Sequence, residues 1–227
     1  MTDDARRLLG VGLAAAVLFT ALAVAVPRLF GAAAGPEVEI LTALKTEEAR
    51  GIELDVGLAQ PLRSKRVGYQ RMSVVVTGER AVVTATLDFD GTVNETAVSS
   101  LGLERIGFRL EGGDWVPEAG WAPQLVGVVR ALEKRRAALE AGDVTGLCSG
   151  RADSGEASEV AELLAVEGRK VRALNWLIRS EREDVLVTEE SRVTGTLPSR
   201  PVDDLKTTRL TLQGAAGGEF CFPDGLM

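Results

Sequence analysis

An α+β fold is predicted for this chain: one N-terminal transmembrane helix, then two small units that each join helix to antiparallel sheet, the first of them truncated. Three observations predict it. Residues 8–26, LLGVGLAAAVLFTALAVAV, carry no charge; beyond residue 60, Val- and Thr-rich segments alternate with polar residues between glycine breaks; and the order helix then strands occurs twice.

At the helical rise, 19 uncharged residues reach roughly 28 Å, close to the hydrocarbon thickness of a bilayer. Arg6 and Arg7 precede the run, and Pro27 and Arg28 follow it. That balance places residues 1–7 in the cytoplasm, makes 8–26 a signal anchor and 27–36 a linker, and puts the body on the periplasmic or extracellular side of the cell membrane. A cleaved signal peptide competes, because the small residues GAAAG at 31–35 also fit that pattern. The apolar run exceeds the usual length of about 7–15 residues, which favours the anchor. A buried helix of a soluble protein fits least, since the run has no polar face.

The first unit, 37–120, opens with a short helix over Glu37–Ala49, where Val38, Leu41 and Leu44 share a face after Pro36. Tyr69–Thr77 and Ala81–Phe89 read as strands broken at Gly78, and Leu103–Leu110 alternates through Ile106 and Phe108. EGGDW at 111–115 signals a hairpin turn into a last strand ending at Pro117. The second unit, 121–227, begins with a stronger helix, Pro123–Ala141. Leu125, Val128, Val129, Leu132 and Leu139 form its apolar stripe, Glu133, Lys134, Arg135 and Arg136 are expected to face away, and Gly142 ends it. A helix over Gly155–Glu167, capped by Asp153 or Ser154, precedes strands at Val171–Arg179, Asp184–Thr194, Lys206–Leu212 and Glu219–Phe222. At an offset of about 104 residues ERAVVTATLDFDG falls on EDVLVTEESRVTG, a repeat of pattern rather than of identity. Any two antiparallel sheets could also give such an overlay.

There is no histidine in the 227 residues, which excludes Ser-His-Asp and Cys-His catalysis and His-ligated metals. The net charge of −7 is uneven: Asp3 and Asp4 against Arg6, Arg7 and Arg28 leave the first 35 residues at +1 and the remainder at −8. An acidic body whose basic clusters (Arg63, Lys65, Arg66 and Lys134, Arg135, Arg136) lack interleaved aromatics does not suit nucleic acid; both read as solvated faces.

The run ALEKRRAALEAGDVTGL (131–147), the long hairpin over 171–194 and the closing strands to Phe222 resemble the nuclear transport factor 2-like superfamily over about 100 residues. The likeness implies a strongly curved, cone-like antiparallel sheet, with the first unit a shortened copy. Tandem domains of this type behind one membrane helix look like bitopic assembly components of conjugation and type IV secretion machines. Enzymes of the superfamily use Asp, His or Tyr within the cone.

Tyr69, the lone tyrosine, could imitate a tyrosine–aspartate isomerase pair with Asp88 or Asp90. However, those carboxylates alternate with Leu87 and Phe89 and so are expected on the solvated face. Cys148 and Cys221, the two cysteines, leave a disulfide, two buried thiols or a redox or metal role open; without His or CxxC spacing they make a poor zinc site. GGD at 112–114 and GAAGG at 214–218 lack the helix and lysine of a phosphate loop. Asp203 and Asp204 near Pro201 read as loop solvation rather than a calcium site. Trp115, Trp121 and Trp176 read first as packing.

The expectation is a non-enzymatic extracytoplasmic protein without cofactor, metal or nucleic acid. It would be held in the bilayer through residues 8–26 and act through a protein partner or self-association in a bacterial envelope or secretion system. The alternative is a membrane-surface module whose cone, lined by Leu174, Trp176 or Phe220, binds a small apolar ligand. A degenerate isomerase or dehydratase-like enzyme comes third.

Overall fold

The computed structural model describes residues 35–150, 154–181, 184–214 and 219–227; the proposed anchor at 8–26 lies outside them. Among the described residues no helix is long and apolar enough to cross a membrane. The chain divides into two compact units, one up to Ile40 and one from Leu41 onward. Of the first, the described part begins helix α1 (Pro36–Arg50), where the Val38 amide donates to the Gly35 carbonyl.

From Leu41 on, the chain is an α+β fold with few helices and one sheet that curls into a half barrel. A short β1 (Glu53–Leu54) precedes three long strands, β2 (Leu62–Thr77), β3 (Arg80–Val93) and β4 (Thr96–Glu111), and the stub β5 (Asp114–Pro117). Helices α2 (Pro123–Ala141) and α3 (Ser154–Leu164) follow. Three more long strands, β6 (Glu167–Glu181), β7 (Asp184–Leu197) and β8 (Arg200–Gly214), and the stub β9 (Phe220–Cys221) complete it. Each long triplet is an antiparallel meander. Local chemistry explains the turns. Gly112 and Gly113, φ +63° and +101°, close the β4–β5 hairpin where the sequence reads EGGD, because two positive φ values suit the twist of a two-residue loop.

The two meanders form one sheet, in the order β1-β2-β3-β4-β6-β7-β8-β9. What the sequence reads as two units is thus joined by a parallel ladder, Ala97–Gly102 against Asn175–Ser180. Gly102 lets the strands approach: a Cβ there would sit 2.7 Å from the Ser180 amide nitrogen. The bounds of β3 and β7 stand 104 residues apart at both ends, so the offset in sequence is an offset in strands.

The strands run longer than the pattern indicates. β2 starts at Leu62 because register shifts between Ser64 and Arg66 and between Gln70 and Ser73 break the alternation that a period-of-two reading needs. β8 starts at Arg200, so Asp203 and Asp204 lie on a strand rather than in a loop; Asp203 accepts two bonds of 2.6 Å from Arg192 on β7.

Helix α2 has the predicted bounds but not the predicted faces. Glu133 and Arg135 are 5% and 1% exposed, and only Lys134 of the basic triplet is solvated. Its N-cap position, Ala122, offers no side-chain acceptor. Glu104 of β4 supplies one from across the chain, its carboxylate accepting the amides of Gln124 (3.0 Å) and Leu125 (2.8 Å). Those amides belong to the orphan donors of the first turn, and negative charge is favoured there.

Gly102→Val should lower the stability of the whole unit by about 1–3 kcal/mol through overpacking at the joint, read as a drop in urea midpoint with unchanged m-value. Glu104→Ala should cost about 1–2 kcal/mol by removing the cap, measured by thermal melting.

Candidate functional site

The inner face of the sheet carries two clusters of buried polar residues, one in each meander. In the first, Tyr69 is buried and its hydroxyl donates to the Trp121 carbonyl at 2.8 Å. Its main-chain amide donates to Glu48 (2.9 Å) and its carbonyl accepts from Lys45 Nζ (2.8 Å), both on α1. Burial, with the nearby Glu104, Glu48 and Glu47 carboxylates adding to it, pushes the phenol above its ordinary range. Burial also pushes Glu104 up to about 7, against the two backbone amides that favour its charged form.

Asp88 and Asp90 do not join this cluster. On β3 they alternate with Leu87 and Phe89, which are buried, and on the other face both accept from Arg66, at 3.0 and 2.7 Å. Tyr69 pairs across the ladder with Leu87 instead. The tyrosine–aspartate isomerase pair therefore does not form: its members stand on opposite faces of the sheet. Arg66, and Arg63 paired with Glu53 at 3.1 Å, are likewise neutralised rather than gathered into a basic patch.

The second cluster surrounds Arg135, which the sequence assigns to solvent. Its guanidinium donates from Nη1 to Glu189 Oε1 (2.9 Å) and from Nε to the Leu226 carbonyl (2.6 Å). The other Glu189 oxygen accepts the indole N–H of Trp176 at 2.9 Å. The two charged side chains are 2% and 3% exposed. Arginine suits such burial, being always charged and able to satisfy several acceptors at once. Trp176, with no exposure, has its one polar atom satisfied and is part of the packed interior.

None of the recesses bordered by described residues brings Leu174, Trp176 and Phe220 together. Leu174 falls at the register shift between Ala173 and Asn175 and is half-buried. Phe220 on β9 faces a recess of about 240 Å³ with Arg130, Lys134, Leu147 and Cys148, which neither Leu174 nor Trp176 reaches. A second recess, about 360 Å³, is bordered by Val144, Val160, Ala161, Leu164 and Leu226. Cys148 and Cys221 are joined in a disulfide, Cα atoms 4.7 Å apart. It closes a sequence separation of 73 residues, a constraint of about 4 kcal/mol on the unfolded chain. Among the described residues no group of His, Cys, Asp and Glu is arranged to hold a metal ion.

Sequence reasoning missed Arg135, Glu189 and Glu104. Arg135 sits in a charged run, EKRR, that looks solvated as a block. Its position three residues after Leu132 on the apolar stripe was the available signal. Glu189 and Glu104 each occupy an inward position of a strand, an interruption of the alternation.

No protein-family model matches this chain, and no curated protein does. Among solved structures, the chain is similar to a candidate ketosteroid isomerase from Shewanella frigidimarina NCIMB 400, at 14% identity and a TM-score of 0.33 over 41% of this chain and 88% of that one. It is also similar to a nuclear transport factor 2-like protein involved in plasmid conjugation, at 8% identity and a TM-score of 0.27 over 71% and 75% of the two chains. Scores below 0.5 establish no common fold, and the architecture stands on its own strand order.

Glu189→Ala should cost about 3–5 kcal/mol because it strands the Arg135 charge in the interior, whereas the double replacement Arg135→Met with Glu189→Leu should recover most of it; a double-mutant cycle by urea unfolding measures both. Glu104 titrates higher in the folded state than its ordinary 4.5, so the folded state holds the extra proton. Its stabilising contribution is complete below pH 4.5 and is lost as pH rises through about 7. The expected decline is about 3 kcal/mol across that window, and Glu104→Gln should flatten it in melts taken from pH 4 to 8.

Proposed function

We propose that this protein is a single-pass, membrane-anchored, non-enzymatic component of a bacterial envelope or secretion assembly, of the nuclear transport factor 2-like kind. Its extracytoplasmic body would be two helix-plus-curved-sheet copies, the first truncated, working by protein–protein contact. The observation that carries this reading is the Arg135–Glu189–Trp176 cluster. The part of the curved sheet that an enzyme or carrier of this architecture would keep open is filled by the chain's own side chains, each polar atom of the trio satisfied within the chain. The uncharged run at 8–26 supports the anchor. The disulfide supports an oxidising compartment.

The runner-up, a membrane-surface module for a small apolar ligand, draws on the recess beside α3, whose border of Val144, Val160 and Leu164 is apolar. Its volume lies near the lower limit for small-molecule sites.

The full chain, expressed in native membranes and solubilised in mild detergent, should co-purify a defined protein partner or itself. In cells whose outer envelope has been opened while the cytoplasmic membrane stays intact, added protease should cleave the body while sparing residues 1–7. A strictly monomeric protein without partners, or a body protected until lysis, would overturn the proposal.

A further inference from the structure

The joint between β4 and β6 leaves a matching pair of edges unused. Because β2, β3 and β4 recur as β6, β7 and β8 at an offset of about 104 residues, the edge of β8 is the counterpart of the β4 edge already joined. The edge of β2 is likewise the counterpart of the β6 edge that joins it. Among the described residues, β8 is paired on that side only at Gln213 and Gly214. On β2, β1 covers Leu62 and Arg63, and Lys45 and Glu48 occupy the main-chain groups of Tyr69. Among the described residues, no strand lies along the edge of Arg71–Thr77 that faces away from β3.

Shifting the internal ladder by 104 residues sets Pro201–Lys206 of one copy against Arg71–Val76 of another, parallel as Ala97–Gly102 is to Asn175–Ser180; Arg71, at φ +49°, and Met72 fall in the β2 bulge, so the regular part of the match is Asp203–Lys206 against Ser73–Val76. Faces match under this register. Val74 and Val76 fall opposite Asp204 and Lys206 on the inner side, and Val75 meets Leu205 on the outer side. Val75 and Leu205 are the most exposed of the large apolar residues described, at 63% and 74%. That coincidence is independent of the offset that generated the register. Pro201 withholds one donor, and the inward Asp204 and Lys206 discourage indiscriminate pairing at this edge.

We infer that copies of this chain associate head to tail, the β8 edge of one adding in parallel to the Arg71–Thr77 edge of β2 of the next. This rests on the assembly reading above and names its partner as a second copy. Such a contact is heterologous: it extends as a filament unless its rotation closes a ring.

The test uses full-length chain in mild detergent with cysteines at the two exposed positions, Val75→Cys and Leu205→Cys, and a short bifunctional methanethiosulfonate. A mixture of the two single variants should give a cross-linked dimer, the double variant a ladder of higher multimers, and each single variant alone only monomer. A dimer from either single variant alone, with no additional heterodimer in the mixture, would indicate edge-to-like-edge pairing and overturn the inference. So would the absence of any cross-link. In a chain without added cysteines, Leu205→Lys should shift the mass distribution to monomer; an unchanged distribution would also overturn it. If cross-linking fails while the chain still co-purifies a different protein, the head-to-tail inference falls and the assembly reading stands. If it fails and no partner is recovered, both fall.

Discussion

Two buried carboxylates, one on each side of the β4–β6 joint, hold helix α2 to the sheet, and most of the interior follows from them. Glu104 of β4 takes the free amides of the first turn, and Glu189 of β7 takes the guanidinium of Arg135 further along. Near the far end the guanidinium of Arg169, on β6, donates to the Leu139 carbonyl at 2.7 Å. A helix held only by its apolar stripe could slide or rotate by part of a turn at little cost. Here such motion would strand a charge in the interior, which is costly in a medium of low polarity. The charged contacts thus fix where Leu125, Val129 and Leu132 pack, while the apolar contacts supply the larger share of the burial energy.

The same contacts bear on function. Trp176 and Arg135 are among the largest fully buried side chains, and they occupy the concave side of the second meander. Tyr69 does so in the first. Each has its polar atoms hydrogen-bonded within the chain. Chemistry at Tyr69 would first require the phenol to leave the Trp121 carbonyl.

Much of the fold is legible in the sequence. The bounds of α2, the EGGD hairpin and the succession of the long strands along the chain follow from proline, glycine and Val/Thr alternation, all of which act through local backbone geometry. Bulges were less legible, since one extra residue reverses the apparent inward face, and β2 and β6 both carry them. The continuity of the sheet was not legible at all: parallel pairing between residues in different hairpins leaves no periodic trace in either. Charged residues in the interior were misread for a related reason. Composition assigns Arg and Glu to water, and only their position on an apolar stripe or inward strand site shows otherwise.

The parallel ladder also orders events in time. Each meander is built from hairpins whose partners are close in sequence, so they can form early and independently. Ala97 and Asn175, by contrast, meet only after α2 and α3 have been threaded between them. Pairing of this kind waits on loop closure. Until it happens, the inner edges of β4 and β6 stand open as well as the outer ones. With the joint open the two meanders present four long edges, and with it closed the sheet presents two. The most vulnerable moment of a newly made chain comes before the joint has closed.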